Sequence, residues 1–173
     1  MNTNPIEDLA KESNSVDVTE AESHYMIQCE DIRLISSVLQ PIIEEGEESG
    51  ESQFAFRIWA MVEDLDSFSY LEVQAKLFIP GEPEEMRGYN LRFVLMGKFH
   101  AQDEIPTDAM SEFVKIYTLS LLWPYAREYT SDQLRRTGEH EVVLPIINPQ
   151  AVTEQLVEND LVEVEIIQKT EEN

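Results

Sequence analysis

The sequence predicts an α+β fold in which a four-stranded antiparallel sheet comes first and helices follow. Apolar and polar residues alternate along four successive segments in the first part of the chain, and this period is typical of strands. After Pro106 the apolar residues recur at helical spacing instead. Strands that precede helices, rather than alternating with them, indicate the α+β class.

The first predicted strand runs from His24 to Leu39. Its apolar residues change parity near Glu30, which predicts a bulge or a bend at that point. Residues 1–22 are polar and acidic without periodicity, so we expect a flexible acidic arm before the strand. Residues 44–52 predict an acidic loop after it.

The second predicted strand is apolar on both faces. Trp59 and Met61 lie opposite a longer apolar row, so the strand is either covered on both sides or exposes one side to a partner. The longer row consists of Phe54, Phe56, Ile58, Ala60 and Val62.

Two further strands complete the predicted sheet. Apolar residues alternate from Leu71 to Ile79 in the third strand and from Tyr89 to Leu95 in the fourth. Short connections join consecutive strands, which makes an antiparallel meander the simplest topology.

A long helix is predicted from Thr107 to Arg136. Pro124 interrupts it, and proline either kinks such a helix or begins a second one at its first turn. Gly138 is a natural end for the helical segment. The apolar positions with helical spacing are Met110, Phe113, Val114, Tyr117 and Leu121.

A short final helix is predicted after Asn148. Asparagine is a favourable N-cap, and Pro149 suits the first helical position. Residues 161–173 either form a last strand or continue as an acidic tail.

The charge and composition exclude several classes of partner. Twelve Lys and Arg face 35 Asp and Glu, a net charge of -23, so nucleic acid and anionic lipid are repelled. No apolar run approaches the ~20 residues needed to cross a bilayer, so no membrane insertion is expected. The single cysteine, Cys29, and an N-terminus without signal-peptide features favour a cytoplasmic protein.

No arrangement of residues indicates catalysis or a cofactor. The three histidines fall in different elements, away from any His or Cys at metal-ligand spacing. The glycines are scattered, so there is no phosphate-binding loop, and no nucleophile stands in a known catalytic motif. We therefore predict no catalytic residue, no metal, no cofactor and no enzymatic activity.

Four short motifs in the second half of the chain resemble the SecB chaperones. A Pro-Tyr-Ala-Arg-Glu stretch, with a glycine and a Pro-x-x-Asn at matching distances downstream, makes the resemblance fairly specific. In order, the residues concerned are Gly97 to Phe99, Leu121 to Glu128, Gly138, and Leu144 to Asn148.

The resemblance implies a SecB-like domain at residues 23–160 with a long helix packed on one face of the sheet. In SecB, two protomers join their sheets, and two such dimers sandwich their long helices into a tetramer. Unfolded polypeptide segments, the clients, bind apolar grooves lined by the second strand, the loop after the long helix and the last helix. On this chain those places hold Phe54, Phe56, Trp59, Met61, Val142, Leu144, Ile146, Ile147 and Leu156.

The long helix carries more apolar surface than one small sheet face needs, which predicts a homo-oligomer, a dimer or a tetramer. We expect Arg127 to be structural, because a half-buried guanidinium needs a partner, either a carboxylate or the helix carbonyls freed by a kink at Pro124; the alternative is a solvated position with no specific partner. The predicted interface residues are Phe113, Tyr117, Leu121, Tyr125 and Arg127.

Two departures from SecB argue against docking to the translocation motor SecA. Arg92 replaces an acidic residue of the SecB docking patch, and the first strand lacks the expected acidic residues. The resemblance thus implies an ATP-independent holdase, a chaperone that binds unfolded polypeptides without refolding them, and the two departures favour a general or client-dedicated one over an export factor. The alternative is an oligomeric adaptor that recognises one folded protein partner through the same surface.

Overall fold

A computed structural model describes residues 27–42, 52–79, 87–102, 104–139 and 144–167. The predicted arm at residues 1–22, the predicted strand start at His24 and the predicted client residue Val142 lie outside these ranges. The described parts form five strands, β1 (Ile27–Pro41), β2 (Gln53–Glu63), β3 (Asp66–Ile79), β4 (Arg87–Ala101) and β5 (Val162–Ile166), and two helices, α1 (Thr107–Arg136) and α2 (Pro149–Glu158).

The strands form one sheet in the order β1-β4-β3-β2-β5, so the prediction of four strands in a simple meander is wrong. Strands β2, β3 and β4 do form an antiparallel meander, but β1 pairs with the far edge of β4 instead of with β2. In that position Ile32 and Leu39 of β1 pack against the main core. Burial of these side chains, rather than closeness along the chain, explains the position of β1.

The register of β1 shifts twice along β4. One shift falls between Cys29 and Asp31, at the predicted bulge. A second, between Leu34 and Ser36, was not predicted. Each shift changes which side chains face the core, because the side-chain period of a strand is two.

Strand β5 makes the sheet mixed. It pairs in parallel with β2, from Ile58 opposite Val162 to Val62 opposite Ile166. Of the two possibilities for residues 161–173, the structure has a strand in the first part of the segment.

Helix α1 covers one face of the sheet, and the main core lies between the two layers. Leu122 and Ala126 of α1 are fully buried against sheet residues such as Ile58 and Phe93. The helix continues through Pro124, so the alternative of a second helix starting there is wrong. It ends before Gly138, whose φ of 95° is left-handed, as predicted.

Gly97 of β4 lets α1 lie close to the sheet. A Cβ atom at this position would lie 2.9 Å from Cζ of Phe99 and 3.1 Å from Cδ2 of Leu122. Both distances are shorter than ordinary carbon–carbon contacts. A side chain at Gly97 would therefore push the helix or its neighbours outward.

Helix α2 begins as predicted. The Asn148 side chain accepts a hydrogen bond from the Ala151 backbone N–H at 3.4 Å, and Pro149 is the first helical residue. Leu156 anchors α2 to the main core.

Candidate functional site

The core-side face of β2 carries two half-buried phenylalanines. Phe54 and Phe56 lie near the start of the strand and precede the fully buried Ile58 on this face. The Phe56 ring meets Trp123 of α1 edge to face, with ring centroids 5.1 Å apart. Because α1 does not cover them completely, both side chains keep part of their apolar surface accessible.

The segment between α1 and α2 alternates between core and solvent. Leu144 is 1% exposed and lies in the main core, whereas Ile146 is 85% exposed. Ile147 is half-buried against the core. Arg127 of α1 fixes the segment, since its Nε donates a hydrogen bond to the Leu144 carbonyl oxygen at 3.1 Å. Among the described residues, the partner of Arg127 is thus a carbonyl of the following segment, and not the expected carboxylate or helix carbonyl freed at Pro124.

Five of the predicted client residues come together on the helix side of the sheet. Leu144 and Leu156 are buried members of the main core, and three half-buried residues pack against it. Ile146 lies in the same segment as Leu144 and Ile147. We use the name helix-side patch for the accessible residues among these five together with Ile146, which are Phe54, Phe56, Ile146 and Ile147.

The remaining two described client candidates, Trp59 and Met61, lie on the opposite, open face of the sheet. Trp59 stacks on Tyr70 of β3, with ring centroids 5.2 Å apart and an interplanar angle of 5°. The Arg57 guanidinium lies 5.9 Å from the Trp59 ring and 2.8 Å from Glu163 of β5. The structure therefore divides the predicted client residues between the two faces of the sheet.

Arg92 also lies on the open face, where it neutralises a buried carboxylate. Glu72 is 5% exposed and accepts hydrogen bonds from Nε of Arg92 at 2.6 Å and from the Gln74 amide at 2.8 Å. A buried carboxylate needs such partners, because an unpaired charge in this position is costly. The charge reversal noticed in the sequence has a structural role in this fold.

The outer side of α1 presents an apolar stripe, at the positions predicted for an oligomer interface. Tyr117 and Tyr125 are each 48% exposed, and Leu121 between them is 36% exposed. Residues four apart lie on one face of a helix, so the three are contiguous. Phe113 is less accessible, because it packs against Phe99 and Tyr117.

The exposed side of β1 continues this stripe. Leu34 of β1 and Tyr125 of α1 line one small cavity of about 290 Å³. Leu34 and Ile35 are exposed, as is Val38, which pairs with Arg92 and so lies on the open face, and the sequence analysis did not select any of the three as a site residue. The second register shift explains this, because it breaks the alternation by which such residues could be recognised.

A groove of about 620 Å³ lies between α1 and α2. It includes two exposed apolar residues, Ile116 and Val157, that sequence reasoning did not assign to a site. Ile116 lies four residues from Ser120, and Val157 lies four residues from Thr153. This helical spacing was the only sequence pattern that could have placed them on a common surface. The full lining is Ile116, Tyr117, Ser120, Gln150, Thr153, Glu154, Val157 and Glu158.

Two titratable side chains among the described residues have a pKa displaced from its ordinary value. Partial burial raises the pKa of the Cys29 thiol, which disfavours the reactive thiolate. A hydrogen bond to Glu30 raises the pKa of Lys98, so this side chain remains a cation. Within the same residues, no three His, Cys, Asp or Glu side chains cluster as metal ligands.

No described helix is long and apolar enough to span a membrane. No protein-family model matches the sequence, and neither does any curated protein. Among solved structures, the chain is similar to the Mycobacterium tuberculosis SecB-like chaperone Rv1957 in complex with a ChAD peptide from the antitoxin HigA1. The identity is 15% and the TM-score 0.50, over 70% of this chain and 90% of that chain. This likeness shows a SecB-like fold.

Proposed function

We propose that this chain is an ATP-independent holdase of the cytoplasm, without enzymatic activity, that binds unfolded polypeptides at the helix-side patch. The observation that carries the proposal is accessible apolar surface beside the core of a SecB-like fold. Phe54, Phe56 and Ile147 are half-buried and Ile146 is almost fully exposed, so clients can bury their own apolar side chains there. Such burial stabilises a complex by about 25 cal/mol per Å² before the entropic costs of binding.

The charge of the chain supports the same proposal. A net charge of -23 keeps a protein with exposed apolar residues soluble, and it opposes association of one loaded chaperone with another. The similar structure, Rv1957, holds a peptide from a partner protein, which is consistent with a polypeptide ligand here.

The test is suppression of aggregation of several unrelated unfolded proteins at stoichiometric ratio. We expect the purified chain to suppress aggregation and Ile146→Ser to weaken the suppression. Ile146 is exposed, so its replacement should change stability by less than about 0.5 kcal/mol. Trp59→Ala is the matched variant on the open face, and we expect it to retain suppression.

If Trp59→Ala abolishes suppression and Ile146→Ser does not, clients bind the open face and the helix-side patch is the wrong site. Thermal unfolding of both variants separates lost binding from lost folding. A parent chain that leaves every test protein to aggregate contradicts the holdase proposal itself.

We also propose that the α1 stripe and the neighbouring edge of β1 form a homo-oligomer interface. Replacing Leu121 and Tyr125 with aspartate introduces two charges into that interface, which should dissociate a dimer or tetramer into monomers. Light scattering measures the mass, and Lys115→Asp, an exposed α1 position outside the stripe, is the control. A monomeric parent at micromolar concentration would refute this assembly.

The α1–α2 groove favours a second candidate, an adaptor that recognises one folded partner. Its Ile116 and Val157 are exposed in a concave site of about 620 Å³, which suits a partner of defined shape better than a varied set of clients. An adaptor would bind one protein and leave unrelated unfolded proteins to aggregate. The aggregation test therefore discriminates between the two functions.

A further inference from the structure

Strand β5 is attached to the sheet mainly by its backbone. It is five residues long and pairs in parallel, a geometry slightly less stable per residue than the antiparallel pairing of the other strands. Beyond its ends, the Ile58 N–H donates to the Leu161 carbonyl at 3.0 Å, and the Ile167 N–H donates to the Val62 carbonyl at 2.8 Å.

The side chains of β5 bury little apolar surface. Val162 and Val164, on the core side, are only half-buried, and Ile166 is exposed. Glu163 and Glu165 point to the open face and are exposed as well, and the exposed ion pair between Glu163 and Arg57 of β2 is of a kind that contributes little stability. Since apolar burial supplies most of the stability of a strand in a sheet, β5 is held weakly compared with β3, whose core-side residues are fully buried.

Strand β5 covers only part of the β2 edge. The register begins at Ile58, so within the described ranges residues 53–57 have no strand partner on this side. The uncovered part carries Phe54 and Phe56 of the helix-side patch. An extended polypeptide can add to such an edge through backbone hydrogen bonds that do not depend on its sequence.

We infer that β5 is a removable cover of the β2 edge, and that extended segments of unfolded polypeptides compete with it for that edge. This inference rests on the proposed holdase function and adds the mode of binding. A client strand would begin at residues 53–57, continue along Ile58 to Val62 as β5 leaves, and place alternate side chains where Val162 and Val164 now lie. Backbone pairing supplies affinity for clients of any sequence, and the phenylalanines add apolar contact.

A disulfide between β2 and β5 tests the competition. Ala60 and Val164 are register partners on the core side, and changing both to cysteine adds volume at one position while removing it at the other. Cys29→Ser in the same chain prevents mispairing. The oxidised form locks β5 in place, and the reduced form of the same variant is the control.

Glu165→Pro, compared with Glu165→Ala, weakens β5 instead, because proline removes a backbone donor.

The probe is reduced, carbamidomethylated ribonuclease A, a soluble chain that stays unfolded. We expect the oxidised variant to bind it at least about tenfold more weakly than the reduced variant, and Glu165→Pro to bind about threefold or more tightly than Glu165→Ala. Equal affinities of the oxidised and reduced forms overturn the inference and leave the holdase function standing.

Amide hydrogen exchange of the free protein provides a readout that needs no client. The β5 amides should exchange about 100-fold or more faster than those of β3 in the reduced variant and slow down on oxidation. Equal protection of β5 and β3 overturns the inference by itself. If no form binds the probe and aggregation is not suppressed, the proposed function fails and the inferred competition fails with it.

Discussion

Leu144→Ala is expected to lower the free energy of unfolding by about 3 kcal/mol. Leu144 is 1% exposed and belongs to the main core, so its truncation leaves a cavity that the anchored segment cannot easily fill. The same change loosens the carbonyl that accepts the hydrogen bond from Arg127. The measurement is chemical denaturation followed by far-UV circular dichroism.

The matched control is Ile146→Ala, two residues further along the same segment. Ile146 is 85% exposed, so its truncation should change the free energy of unfolding by less than about 0.5 kcal/mol. Equal losses for the two variants would show that the segment packs differently from the structure.

Gly97→Val is expected to cost about 3 kcal/mol of stability through steric collision. Its Cβ would lie 2.9 Å from Phe99 and 3.1 Å from Leu122, and the branched side chain adds two methyl groups to that contact. The collision falls where α1 meets the sheet, so the thermal midpoint should decrease.

Gly138→Ala is the comparison variant. It replaces a glycine without creating a steric collision, so it measures the cost of the backbone conformation alone. A Cβ at Gly138 would meet nothing within 4 Å, but its φ of 95° is unfavourable for alanine. We expect a loss of about 1 kcal/mol there. A Gly97→Val variant no less stable than Gly138→Ala would contradict the close contact between α1 and β4.

Local patterns in the sequence predict much of β2, β3, α1 and α2. In β2 the alternating residues Ile58, Ala60 and Val62 are buried as expected, because the side-chain period of a strand is independent of its neighbours. The Asn148 cap and the left-handed Gly138 depend only on adjacent backbone geometry. These features are encoded within one helical turn or one strand.

The positions of β1 and β5 depend on contacts between distant parts of the chain. The alternation in β1 suits any free sheet edge, and the choice of β4 follows from burial of Ile32 and Leu39 against the core. Residues 162–166 read Val-Glu-Val-Glu-Ile, which is compatible with either an edge strand or an exposed tail. No local pattern distinguishes these possibilities.

The candidate site was only partly predictable for a related reason. Trp59 and Phe56 are equally apolar, and the sequence analysis left open which face of β2 lines the groove; in the structure α1 lies on the Phe56 side. The segment Leu144–Ile147 is uniformly apolar apart from its proline, so hydropathy could not separate the buried Leu144 from the exposed Ile146.

The two edges of the sheet differ in a way that limits how many copies can join. β1 is a 15-residue antiparallel edge, whereas the opposite edge is a five-residue strand that carries two exposed glutamates. Pairing of β1 with β1 of a second copy across a two-fold axis would use the long edge of both molecules and leave β5 and the adjoining part of β2 outside. In such a pair the β1 edges are no longer available for further strand addition. Under the proposed holdase function, this difference between the edges directs a second copy of the chain to β1 and extended clients to the β2 side.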